Sequence, residues 1–75
     1  MFKWKDYEKN SALFVEGVST NVAILSHKDF VLTDNETKMK IKIKASCLEE
    51  AKYEAEQSIK AYWKSVADRF VYYLN

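Results

Sequence analysis

Hydrophobic and polar side chains alternate in short bursts along the first 45 residues. The longest burst is "KMKIKIKA" at 38–45, with Lys38, Lys40, Lys42 and Lys44 on one phase and Met39, Ile41, Ile43 and Ala45 on the other. A strand sends successive side chains to opposite faces, so this run predicts a comb of ammonium groups backed by an apolar row. "FKWKDY" (2–7) likewise sets Phe2 and Trp4 against Lys3, Lys5 and Tyr7. "ALFVEGV" (12–18), "VAILS" (22–26) and "FVLT" (30–33) are further β-prone runs, separated by "EKNS", "STN" and "HKD". The polar "DNET" (34–37) between two such runs reads as a hairpin connection.

The period changes at residue 46. Ser46 is followed three residues later by Glu49, the spacing of a capping box. Leu48, Ala51, Ala55, Ile59, Tyr62, Val66, Phe70 and Tyr73 then recur in three- and four-residue steps. That stripe predicts an amphipathic helix from about Cys47 to Leu74. Glu49, Glu50, Glu54 and Glu56 crowd its first half and Lys60, Lys64 and Arg69 its second, which complements the helix dipole. The expected fold is α+β: an antiparallel meander of three to five short strands packed on one long C-terminal helix. The expected organisation is a single domain, with the sheet over 1–45 and the helix over 46–75.

Composition narrows the chemistry more than the fold. Seventy-five residues bury a modest core, and very small domains need a disulfide, a metal or association to gain stability margin. Cys47 is the only cysteine and His27 the only histidine, so an internal disulfide is excluded and a zinc site would be incomplete. One glycine cannot build a Gly-rich phosphate loop. Cys47 reads as a small buried thiol, and the helix glutamates as a solvated face rather than an acid/base pair. The chain is therefore expected to be a non-enzyme without a cofactor. No apolar run is long enough for a leader or a membrane span, and with a lone thiol the expectation is a cytoplasmic protein with no membrane partner.

Two surfaces could carry contacts. The first is basic: if β-strands at the two ends of the meander are neighbours, Lys3, Lys5, Lys38, Lys40, Lys42 and Lys44 share one outer face and could grip nucleic acid. Against that, 12 basic and 11 acidic side chains give a net charge of +1, and Asp6, Glu8, Glu16, Asp34 and Glu36 lie close by in sequence. Lysines also keep edge strands from pairing with other chains, and this solubility reading ranks first. The second surface is the helix end. A helix of this length runs about 40 Å, whereas strands of six to eight residues reach about 20–27 Å. Trp63, Phe70, Val71, Tyr72, Tyr73 and Leu74 are therefore expected to overhang as a protein-binding cluster or a homodimer seam.

"SCLEEAKYEAEQSI", entering a helix straight from a strand, resembles the closing segment of many short phage and prophage proteins, in which a few-stranded sheet is followed by "S/T-x-LEEAK-x-x-AE". The resemblance covers about a third of the chain. It implies a protein that binds and blocks a host protein, such as a bacterial immune effector, without catalysis. It carries over no functional residue, because the shared part is structural. The functional expectation is a phage-encoded binding protein that occupies the surface of a host protein. A nucleic-acid-binding domain using the lysine face is the alternative.

Overall fold

The alternating runs become strands wherever their apolar phase can face the helix. The computed structural model describes residues 1–65. It has five strands, β1 (Phe2–Asp6), β2 (Asn10–Val15), β3 (Ala23–Ser26), β4 (Val31–Asp34) and β5 (Lys40–Lys42), and then one helix, α1 (Leu48–Ser65). The strands form one antiparallel sheet in the order β1-β2-β3-β4-β5, a meander. The α+β expectation holds. The first and last strands are not neighbours, however; they are the two edges of the sheet.

One face of the sheet is core. Register places Trp4 opposite Leu13, Leu13 opposite Ala23, Leu25 opposite Leu32 and Leu32 opposite Ile41. Against these rows α1 lays a straight four-residue ladder of Ala51, Ala55, Ile59 and Trp63, each fully buried. The alanines let the helix approach the sheet closely, and Ile59 and Trp63 fill the space beyond. Burying a side chain of Leu or Ile size contributes about 1.5–3 kcal/mol relative to leaving it in water. β1 also clamps the helix antiparallel to it. Lys52 Nζ reaches both Asp6 oxygens at 2.9 and 3.0 Å, the Trp4 indole N–H donates to Glu56 at 2.7 Å, and Phe2 packs on Trp63 with ring centroids 6.1 Å apart.

Several sequence expectations shift in detail. The comb at 38–45 is a strand only over Lys40–Lys42. Lys38 sits in the β4–β5 turn with left-handed backbone (φ 64°), and Met39 is half exposed rather than core. Phe30 is not the first residue of a strand; at φ 53° it closes the β3–β4 turn, its N–H donating to the Ser26 carbonyl at 2.9 Å. The helix cap is displaced by one residue. The Cys47 carbonyl accepts the first helical bond from Ala51 N–H at 2.9 Å, so Cys47 occupies the cap position. Glu50, not Glu49, reaches back, accepting from the Ser46 N–H at 2.7 Å and its hydroxyl at 2.8 Å. Cys47 is exposed, contrary to the buried thiol expected, because the cap lies before the turn at which the apolar stripe meets the sheet.

Candidate functional site

The residues expected to form a helix-end cluster divide sharply. Trp63 is a correction: it is not an overhanging anchor but the largest buried side chain in the core. Its indole N–H donates at 3.0 Å to Asp34 Oδ1, and Asp34 is itself wholly buried. The inward phase of β4 carries both Leu32 and Asp34, so the carboxylate arrives beside the helix by the same alternation that delivers the leucine. Thr37 N–H and its hydroxyl each donate to Asp34 Oδ2 at 2.9 Å. The Thr37 hydroxyl also bonds the Tyr62 hydroxyl at 2.7 Å. Such a carboxylate ties the β4–β5 turn to the helix and repays its own burial through charge-assisted donors. Phe70, Val71, Tyr72, Tyr73 and Leu74 lie outside the described residues, as does the expected helix beyond Ser65.

A second polar cluster was not anticipated from sequence. The Ser11 hydroxyl donates to Asp6 Oδ1 at 2.6 Å, and His27 Nε2 lies 2.7 Å from the same Ser11 oxygen. Because the serine has one proton and gives it to a carboxylate, the imidazole donates to it through Nε2–H. A nucleophilic serine needs the reverse arrangement, with the imidazole accepting its proton. Ser11 is fully buried and serves to tie β1, β2 and the β3–β4 turn together. The Lys52 ammonium, then the Ser11 hydroxyl, hold the Asp6 carboxyl below the usual aspartate range. Glu50 is lowered in the same direction by the Ser46 backbone and side-chain donors. Among the described residues no group of three or more His, Cys, Asp or Glu is placed to hold a metal ion, and no described helix is long and apolar enough to cross a membrane.

The lysines and the second sheet face remain. Phe2, Trp4 and Asp6 point to the helix, so Lys3 and Lys5 point away from it; Ile41 points inward, so Lys40 and Lys42 point away. Lys38 is in the turn and Lys44 follows β5, both exposed. The six lysines do not converge into one patch. Four of them border the outer face in two pairs, one pair on each edge strand. Between the borders the register draws a continuous row, Lys5–Ala12–Ile24–Thr33–Lys40, with Phe14 beside Lys3 and Val31 beside Lys42. Phe14, Ile24, Val31 and Thr33 are half-buried, and Phe14, Ile24 and Val31 lie outside the core cluster. A shallow depression on this face is lined by Ile24, Ser26, Asp29, Val31, Thr33 and Lys40.

The acids expected to dilute the lysines largely face elsewhere. Asp6 is engaged by Lys52 and Ser11 on the helix side, and Asp34 is in the core. The outward positions of the five strands include four lysines and no carboxylate; from the adjoining loops, Asp29 lines the depression beside Lys40 and Glu16 lies near Lys3, Lys5 and Phe14. A near-neutral chain thus has a basic sheet face and an acid-rich first half of the helix. No family model, curated protein or solved structure matches this chain.

Proposed function

We propose that the protein is a non-enzymatic binding module that acts by occupying the surface of another protein. The observation that carries this reading is the sheet's second face. The helix covers one side of the sheet, and the other carries a strip of half-buried Phe14, Ile24, Val31 and Thr33, with the buried Ala12 beneath them, between basic borders. Apolar side chains grouped on an open face and rimmed by charge are the usual composition of a protein contact surface. The resemblance of "SCLEEAKYEAEQSI" to phage and prophage proteins adds the context: a phage-encoded protein in the cytosol of a bacterial host, whose partner is a host protein such as a defence effector. Of the residues expected at the helix end, Trp63 belongs to the core and the others lie outside the described residues, so the reading rests on the sheet face.

Capture from bacterial lysate tests this reading. Ile24→Asp changes a half-buried outer-face residue outside the core cluster, so the variant should keep its circular dichroism spectrum. Tyr53→Asp changes an exposed residue on the helix's outer side. The wild type and Tyr53→Asp should retain the same protein partner, and Ile24→Asp should lose it. Retention by a folded Ile24→Asp variant would overturn the reading.

A nucleic-acid role has one observation in its favour, the common orientation of Lys3, Lys5, Lys40 and Lys42. In that case the wild type would retain labelled DNA or RNA with a steep salt dependence, reduced in Lys40→Gln/Lys42→Gln. If the lysines are only edge protection, the same variant should aggregate more and bind unchanged.

A further inference from the structure

The outer face has a shape as well as a composition. Five strands put the two lysine borders about 19 Å apart at the usual strand spacing of about 4.8 Å. The three central strands between them form an apolar lane about 10 Å wide. An α-helix with its side chains is about 10–12 Å across. A helix lying in the lane would cover it and bring its two flanks over the borders. Lysine stems can lie along apolar surface while their ammonium groups stay at its edge, which leaves the lane open and its margins positive.

We infer that the occupant of this face is an amphipathic helix of a partner protein, apolar along one stripe and acidic on both flanks of it. This deepens the function proposed above and rests on it. Two observations select the occupant. The first is charge complementarity on both sides of the lane: Lys3 and Lys5 on one edge, Lys40 and Lys42 on the other, with Asp6 and Asp34 turned to the helix side of the sheet and the two nearby acids, Glu16 and Asp29, in loops, Asp29 accepting from Val31 N–H at 3.2 Å. Edge protection alone would explain the lysines but places no demand on what lies between them. The second is the chemistry of the lane. Single-stranded nucleic acid gains affinity by stacking bases on aromatic rings, and here Ile24 and Val31 are β-branched, with Phe14 the one ring among the outward strand positions and Tyr7, just beyond β1, engaged by Lys5 Nζ 5.6 Å from its ring centre. Aliphatic side chains suit the leucine-type stripe of an amphipathic helix, read as i, i+3, i+4 and i+7 anchors.

The test titrates the full chain, isotope-labelled, with three probes. One is a designed helical peptide with a leucine stripe flanked by glutamates. The second has the same composition scrambled so that the stripe is lost, and the third is an oligodeoxythymidine. The patterned peptide should bind saturably and shift the amides of Phe14, Ile24 and Val31, leaving those of Tyr53 and Gln57 unmoved. Lys3→Glu/Lys40→Glu, one reversal on each border, should weaken it about tenfold, two rim pairs acting together. A peptide with lysine flanks should recover binding to that variant and not to the wild type. Equal binding of the scramble, a response at Tyr53 instead of Ile24, or no saturable binding would overturn the inference. Binding of the oligonucleotide in place of the peptide would overturn it in favour of nucleic acid. The reading underneath fails separately. If capture from lysate depends on Ile24 while hydrogen exchange maps the partner's contact to something other than an acid-flanked helix, only the occupant is wrong. If capture ignores Ile24, the face itself is wrong.

Discussion

Replacing Trp63 with Phe should cost the protein a large part of its stability. The ring is fully buried at the far end of the helical ladder, and its N–H is 3.0 Å from a carboxylate oxygen that is also fully buried. The substitution keeps an aromatic ring against Phe2 but removes the N–H and part of the ring volume. Loss of a hydrogen bond to a charged, buried acceptor costs about 1.5–3 kcal/mol. Removing ring volume from a packed core adds about 1 kcal/mol. Together they make about 3 kcal/mol, against a total of about 4–11 kcal/mol for a chain of this length. Urea unfolding followed by circular dichroism measures the difference, and the melting temperature should fall by roughly 12–24 °C. A cycle with Thr37→Val identifies the mechanism, since that variant removes another donor to the same carboxylate. The two changes should be non-additive because they share Asp34. A Trp63→Phe variant within about 0.5 kcal/mol of the wild type, the range of an ordinary surface change, would refute the buried Trp63–Asp34 contact as a determinant of the fold.

Lys38→Gly should stabilise by about 0.5–1 kcal/mol in the same assay, because the left-handed backbone at this exposed turn favours glycine; a β-branched residue there should destabilise. At the helix start, Glu50→Ala should lower the melting temperature more than Ser46→Ala, since Glu50 accepts both Ser46 donors and Ser46→Ala leaves the backbone bond in place. Asp6 has a carboxyl pKa lowered by folding, so its contribution is fully present above the ordinary aspartate range of about pH 4 and is lost as pH falls through the lowered value. Asp6→Asn should flatten the decline in stability on acidification, measured by urea unfolding across that range. An unchanged slope would remove the Lys52 pairing as a source of acid sensitivity.

The alternation of Phe2 and Trp4 with Lys3 and Lys5 was legible because one face of each strand must be dry, and the change of period at residue 46 marked the helix for the same reason. That rule also held information about polar residues. Asp6 shares a phase with Trp4, Ser11 with Leu13, and Asp34 with Leu32, so each could have been assigned to the helix side of the sheet. Their partners were not legible. Ser11 meets His27, 16 residues away, only through the hairpin register, and Asp34 meets Trp63 only once the helix is docked. The interrupted comb had a local cause: the β4–β5 turn is set by Asp34 accepting from Thr37, and this places Lys38 in the left-handed region instead of the strand. Strand order decided the lysines. An alternating sequence gives the face of a side chain but not which strands are edges, so two separated borders could be read as one patch.

A partner seated on the open face of the sheet is the proposal on which the rest depends. Site-specific photo-crosslinking in bacterial cells tests it most directly, with the crosslinker placed at Ile24 on that face and, in a second protein, at Gln57 on the exposed side of the helix. A discrete protein adduct is expected from Ile24, lost when Lys3 and Lys40 are reversed to Glu, and none from Gln57. An adduct from Gln57 with none from Ile24 would contradict it.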